Sequence, residues 1–198
     1  RDIIIVPDIE TEYLKDEGVF VITFSSFGDS SAKEFADALK VFAGTKSKKL
    51  IIDLRNNPGG YLSSAVDISS WFLKEGQVIV SEESPNETEN RTFTARGHQM
   101  TGTYKVAILV NEGSASASEI MAGALQEHGV AKLVGKKTFG KGSVQELVQM
   151  NDGTALKITI AKWLTPNGKS ISEEGLKPDY EVEFDVEKYQ KSKIDTQL

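Results

Sequence analysis

Apolar residues recur along this chain in two rhythms, and the places where one gives way to the other mark the ends of its elements. Val19 to Phe24, Leu50 to Leu54 and Val106 to Val110 are apolar runs of strand length. Between the first two, Ala32 to Phe42 repeats apolar positions at helical spacing, so residues 19–54 predict one βαβ unit. A helical pattern opening at Tyr61 predicts a helix over Leu62 to Leu73, and Ala117 to His128 predicts another. These alternate with strands near Val78 to Ser81 and Val106 to Val110. Strands near Lys132 to Gly135, Ser143 to Val148 and Ala155 to Ala161 follow, the last two joined by Asn151-Asp152-Gly153, a hairpin signal. The pattern is mixed α/β without an internal repeat. Glu82 to Gln99 is polar and reads as an exposed hairpin or loop, and its Asn86-Glu87-Thr88 and Asn90-Arg91-Thr92 sequons read as chance. Asp185 to Leu198 is charged and expected to be loosely held.

Composition narrows the class without naming it. With 198 residues, 39% of them hydrophobic, the chain can bury a substantial core in one domain or in a domain with an appendage. A net charge of -6 argues against a nucleic-acid-binding surface, leaving Lys132, Lys136, Lys137 and Lys141 as one local basic cluster. No cysteine is present, so disulfides and thiolate catalysis are excluded. His98 and His128 have no metal-ligand spacing; His128 reads as a helix C-terminal residue before Gly129 and His98 as part of a polar loop. No run approaches the roughly 20 apolar residues of a membrane helix, and the opening Arg1 to Pro7 is not a signal peptide, so targeting information is expected outside this chain.

Candidate chemistry sits at two junctions. Ser116 stands where a buried strand passes into a helix, and Ser116 with Glu119 forms the S-x-x-E pattern of a capping box. Capping alone accounts for that pattern, yet the same junction carries free N–H groups and the positive end of a helix dipole, which suit an oxyanion beside an attacking serine. Ala117 N–H is the natural first donor. A second is expected from Asn56-Asn57-Pro58-Gly59-Gly60, where glycine lets backbone approach a substrate closely; a plain tight turn is the simpler reading. Lys141, in Phe139-Gly140-Lys141-Gly142, qualifies as a base only if burial lowers its pKa from about 10.4. Gln145 is placed to aim the amine without adding charge.

Together these pieces resemble the C-terminal processing peptidases, or tail-specific proteases, which are serine peptidases with a Ser-Lys dyad. The resemblance runs from about Arg1 to Val182 and rests on 53-DLRNNPGG-60, 113-GSASASEI-120, 135-GKKTFGKGSVQ-145 and 175-GLKPD-179 in that order. It implies Ser116 as nucleophile, Lys141 as base, Gln145 as the residue orienting the lysine, and an oxyanion hole from Ala117 with Gly60 preferred over Gly59. It selects Ser116 over Ser114, Ser118 and Ser143. The implied fold is α/β, a crotonase-like spiral of ββα units with a mixed sheet and flanking helices. Residues 1–184 are the implied catalytic core and 185–198 a tail; the PDZ domain common in the family has no room in this chain. Implied substrates are proteins with accessible, unstructured C-termini, without cofactor or metal, in the cell envelope or another extracytoplasmic space.

Two other readings follow from the same residues. A non-catalytic carrier of the same fold, like the retinoid-binding repeats of a photoreceptor matrix protein, would not need Ser116, Lys141 and Gln145 together. A nucleotide-binding protein is suggested by Gly135 to Lys141, which matches G-x-x-x-x-G-K. That match fails at Gly142, where a Ser or Thr is needed, and at the strand pattern from Val144 to Val148, where a P-loop opens a helix.

Overall fold

A computed structural model describes residues 7–97, 100, 103–151, 153–172 and 174–183. His98, Asp152 and the 185–198 tail lie outside the described residues. In chain order the elements are β1 (Ile9–Leu14), β2 (Val19–Phe24), α1 (Ser31–Gly44), β3 (Lys49–Asp53), α2 (Leu62–Ser69), β4 (Val78–Glu83), β5 (Arg91–Thr94), β6 (Lys105–Val110), α3 (Ala117–Glu127), β7 (Ala131–Gly135), β8 (Ser143–Gln149), β9 (Ala155–Leu164) and β10 (Tyr180–Glu181). The α/β class expected from the sequence is the observed one, a mixed sheet with flanking helices.

The main sheet runs β1-β2-β3-β6-β7-β10, with β1 antiparallel to β2 and every later pairing parallel. Alternation along its strands buries Phe20, Ile22 and Phe24 of β2, Leu50 and Ile52 of β3, and Val106, Ile108 and Val110 of β6. Helix α1 answers with Phe35, Ala38, Leu39 and Phe42, spaced to lie on one helical face. The Phe24 ring centroid is 4.3 Å from that of Phe27 and 6.1 Å from that of Phe35. Each such buried side chain contributes about 1.5–3 kcal/mol. Helix α3 is buried from Ala117 to Leu125, which makes it the central helix of the molecule.

A second, antiparallel sheet runs β5-β4-β9-β8. Its β8–β9 ribbon exposes Leu147, Leu156 and Ile158, whereas Ala161 and Trp163 further along β9 are buried and Trp163 meets Phe93 edge-on at 6.1 Å.

The structure departs from the sequence pattern in three places. Helix α2 stops at Ser69, and Trp71 and Phe72 make tighter bonds to carbonyls three residues back, although Phe72 and Leu73 remain buried and so sustain the apolar rhythm. Strand β1 has Glu10 and Glu12 among its six residues and no clean alternation; its pairing with β2 makes it a strand. Strand β10 is two residues long and held by β7. Within the polar stretch from Glu82, the described residues do form a hairpin, with β5 returning along β4.

The C-terminal ends of the neighbouring parallel strands β3, β6 and β7 release the segments 54–60, 111–116 and 136–142 side by side. Open parallel sheets place their sites at such ends.

Candidate functional site

Ser116 stands between β6 and α3 with φ 55° and ψ -116°, in the left-handed region that a side chain rarely occupies. An ordinary N-cap serine has extended dihedrals, so helix capping does not explain this backbone. Such strain costs of order 1–3 kcal/mol and persists only where the surroundings over-determine it.

Those surroundings are a dense set of hydrogen bonds. Ser114 Oγ donates to Leu54 O at 2.7 Å and accepts from Asn111 N at 3.0 Å. Ser118 Oγ donates to Asn57 O at 3.0 Å, and Ala115 N reaches the same carbonyl at 3.0 Å. Asn111 and Asn56 bond each other twice, Asn56 N to Asn111 Oδ1 at 2.8 Å and Asn111 Nδ2 to Asn56 Oδ1 at 2.9 Å. The hydroxyls of Ser114 and Ser118 are therefore committed to joining the 54–60 segment to the turn, while Ser116 is the one serine of the three that is not fully buried.

Gly59 is packed directly against the Ser116 turn. A Cβ on Gly59 would lie 2.8 Å from Ala117 N and 2.8 Å from Ser116 Cβ, so a side chain there would occupy the space of the serine itself. The Gly59 N–H donates to Asn57 Oδ1 at 2.9 Å and its carbonyl accepts from Phe27 N at 2.9 Å. Gly60 N–H, by contrast, has no acceptor among the described residues, and neither has Ala117 N–H at the first turn of α3. At Gly60, φ +146° and a Phe27 carbonyl oxygen 2.2 Å from a built Cβ leave room for glycine alone.

Glu119 was legible as a capping partner, but the structure gives it a larger part. It is fully buried, and its Oε2 accepts from Ser116 N at 3.0 Å and from Lys141 N at 2.9 Å. Its Oε1 accepts from Gly140 N at 2.7 Å and Thr138 Oγ1 at 2.5 Å. Backbone on either side of the candidate pair thus converges on one carboxylate. Phe139 N adds a bond to Ser114 O at 3.0 Å, and Thr138 Oγ1 accepts from Leu176 N at 2.7 Å. The 175–179 segment is tied to the same region through Asp179, which accepts from Lys132 Nζ at 2.8 Å, Leu133 N at 2.9 Å and Gln126 Nε2 at 3.0 Å.

The Lys141 and Gln145 side chains are exposed, and no hydrogen bond joins them to each other or to Ser116 among the described residues. The fold of these residues alone does not supply the burial that the sequence argument asked for at Lys141. Gln145 lies on β8 at a register shift between Val144 and Gln145, where the pairing passes from Ala161 to Thr159 and skips Ile160 of β9. At the end of β3, Asp53 holds Arg55 by Nε at 2.9 and 3.1 Å and Nη2 at 2.6 Å, and these bonds push the guanidinium pKa above its usual range.

His128 caps α3 and is spoken for elsewhere. Its Nε2 lies 2.7 Å from Val78 O and its Nδ1 3.1 Å from Gln77 Nε2, an arrangement satisfied by the neutral ring with the proton on Nε2. The P-loop alternative fails on structure as well, since residues 136–142 lead into strand β8 and not into a helix. No group of three or more metal-ligating side chains is found among the described residues. None of their helices is long and apolar enough to cross a membrane.

Comparison with known proteins bears on these residues. Residues 18–182 match the sequence model of peptidase family S41. The "Probable CtpA-like serine protease" of Staphylococcus aureus (strain COL) is 43% identical over 179 residues, covering 90% of this chain and 36% of that one. Its counterpart in Staphylococcus haemolyticus (strain JCSC1435) is 41% identical over 171 residues, covering 86% of this chain and 34% of that one. The chain thus spans little more than a third of the length of these relatives. Among solved structures, the photosystem II D1 C-terminal processing protease superposes with a TM-score of 0.77 at 28% identity, over 83% of this chain and 42% of that one. Mature CPAF shares the fold at a TM-score of 0.69 and 16% identity.

Proposed function

Because the chain belongs to peptidase family S41, we propose that it is the catalytic core of a serine endopeptidase acting through a Ser116–Lys141 dyad. The observation that carries this reading is the strained φ of Ser116, on a turn that shares the Glu119 carboxylate with the Lys141 loop, beside two N–H groups that have no acceptor among the described residues.

In this mechanism the Ser116 hydroxyl oxygen attacks the scissile carbonyl carbon while the neutral Lys141 amine takes its proton. The negative charge on the former carbonyl oxygen is met by Ala117 N–H and Gly60 N–H, and Gly59 is set aside as donor because Asn57 already holds its N–H. Collapse of this intermediate breaks the C–N bond, and the Lys141 ammonium returns the proton to the departing amine. Water, deprotonated by the same lysine, then attacks the acyl carbon, the bond to Ser116 Oγ breaks, and the Lys141 ammonium returns the proton to that oxygen. Gln145 aims the amine. Since Lys141 is exposed, the covering that favours its neutral form comes with the bound substrate.

The substrate in this reading is a protein with an accessible, unstructured C-terminus, a proposal supported by the name of the photosystem II D1 C-terminal processing protease. Strand β8 is the edge of its sheet, so an extended peptide has free backbone groups to pair with next to Gln145. Residues 1–184 form the core in this proposal, and likeness to the CtpA-like and D1-processing proteases supports an extracytoplasmic setting for it.

Incubating the protein with casein, and following cleavage by mass spectrometry, tests the dyad. The parent is expected to cut, Ser116→Ala to lose all cleavage, and Lys141→Ala to lose about 10²–10⁴-fold. Undiminished cleavage by Lys141→Ala refutes the dyad, and a folded parent that neither cuts nor reacts with a fluorophosphonate at Ser116 favours the carrier reading.

A further inference from the structure

We infer that Asn57 is a positioning residue for the oxyanion site, fixing the Gly59–Gly60 peptide and the Ser116 turn relative to one another; this inference rests on the peptidase reading above. Asn57 is the only residue of the 54–60 segment whose side chain and main chain reach both halves of the site.

Its side chain is fully buried and faces inward. Nδ2 donates to Phe24 O at 2.7 Å, which anchors the segment to the end of β2 in the main sheet. Oδ1 accepts from Gly59 N at 2.9 Å. The Gly59 N–H is turned in toward Asn57, whereas the Gly60 N–H has no acceptor among the described residues. On the other side, the Asn57 carbonyl takes Ala115 N and Ser118 Oγ, each at 3.0 Å. Ala115 and Ser118 flank Ser116 and Ala117, so one residue holds the segment bearing one donor against the turn bearing the nucleophile and the other donor.

The chemistry specifies this residue type narrowly. A side chain that donates to one carbonyl and accepts from one amide, within the reach of a two-carbon stem, is asparagine; aspartate keeps the acceptor and turns a second oxygen against the Phe24 carbonyl. Because the amide is buried, either loss leaves a main-chain group without a partner and lets the segment rotate. Displacement of an oxyanion donor by about 1 Å costs about 100-fold in the chemical step, without a matching loss in substrate affinity.

The test uses Asn57→Asp and Asn57→Ala in the full chain, assayed well below the melting temperature of each so that the folded fraction is complete. Expected is a kcat lower by about 100-fold with KM changed less than about threefold. A peptide aldehyde, whose adduct places a charged oxygen where the intermediate has one, is expected to lose affinity by the same factor as kcat/KM, while a product peptide binds unchanged. Ser118→Ala, which removes one of the two bonds to the Asn57 carbonyl and leaves the Asn57 side chain intact, provides a second variant and should show a smaller loss of the same kind. Asn57 variants that melt lower yet keep kcat and aldehyde affinity when fully folded overturn the inference and leave the peptidase reading standing. A parent without hydrolysis or aldehyde binding overturns both.

Discussion

Four donors converge on Glu119, and that convergence explains how a strained serine turn and a glycine-rich lysine loop stay in register. Each of the two carboxylate oxygens accepts two hydrogen bonds, and every one of the four donors belongs to the Ser116 turn or to residues 138–141. Exchange of one oxygen for an NH2 group presents a donor to two donors. We expect Glu119→Gln to lose about 2–4 kcal/mol in a urea melt, from the two groups left unpartnered in a buried place. A melt matching the parent would show that the Ser116 strain is carried by the bonds to Asn57 and Asn111 instead. The sequence disclosed only part of this. S-x-x-E announces the bond from Glu119 to Ser116 N, but nothing local to residues 116–119 reports that Gly140 and Lys141 arrive at the same oxygens from more than twenty positions away. Asn57 was hidden for a related reason: an asparagine before Pro-Gly-Gly reads as turn chemistry, and its use depends on Phe24 lying beneath it.

At the scale of elements, β9 shows why periodicity marks strands more reliably than burial. In its outer half Leu156, Ile158 and Ile160 alternate with Lys157 and Thr159, and yet Ile158 is 40% exposed while Trp163 in the inner half is 7% exposed. The difference is what stands opposite. Trp163 packs on Phe93 and the core, whereas Ile158 faces Glu146 on a ribbon that leaves the body of the sheet. Ile158→Thr is therefore expected to change stability by less than about 0.5 kcal/mol, and Trp163→Ala to cost about 3–5 kcal/mol, both read from thermal or urea melts. A large loss at Ile158 would mean that the apolar face of the ribbon is covered in solution. The helix limits tell the same story from the other side. Phe72 and Leu73 keep helical spacing beyond the end of α2 because the core needs them, so the apolar rhythm runs on past the last helical hydrogen bond.

Over the whole molecule, the parallel order of β3, β6 and β7 does what the sequence could only suggest by listing motifs in succession. Motifs separated by dozens of residues meet because their strands are neighbours, and the 175–179 motif closes the set by pinning β10 and β7 to α3 through Asp179. Strand order is a long-range property, and the only guide to it in the sequence was likeness to a family. Asp179 also gives the assembly a pH dependence. Burial alone would raise its carboxyl pKa, but Lys132, the Leu133 N–H and Gln126 outweigh that and hold it below the ordinary value of 3.8. A carboxyl whose pKa is lowered by folding stabilises the folded state at pH above its unfolded value, and that contribution disappears as pH falls through the folded value. Asp179→Asn should thus be less stable than the parent at pH 7, and the gap should close as the pH drops below 3.8. Melts across this range read the gap directly. A gap that stays constant into strong acid would assign the role of Asp179 to its hydrogen-bonding shape, which asparagine shares in part, and not to its charge.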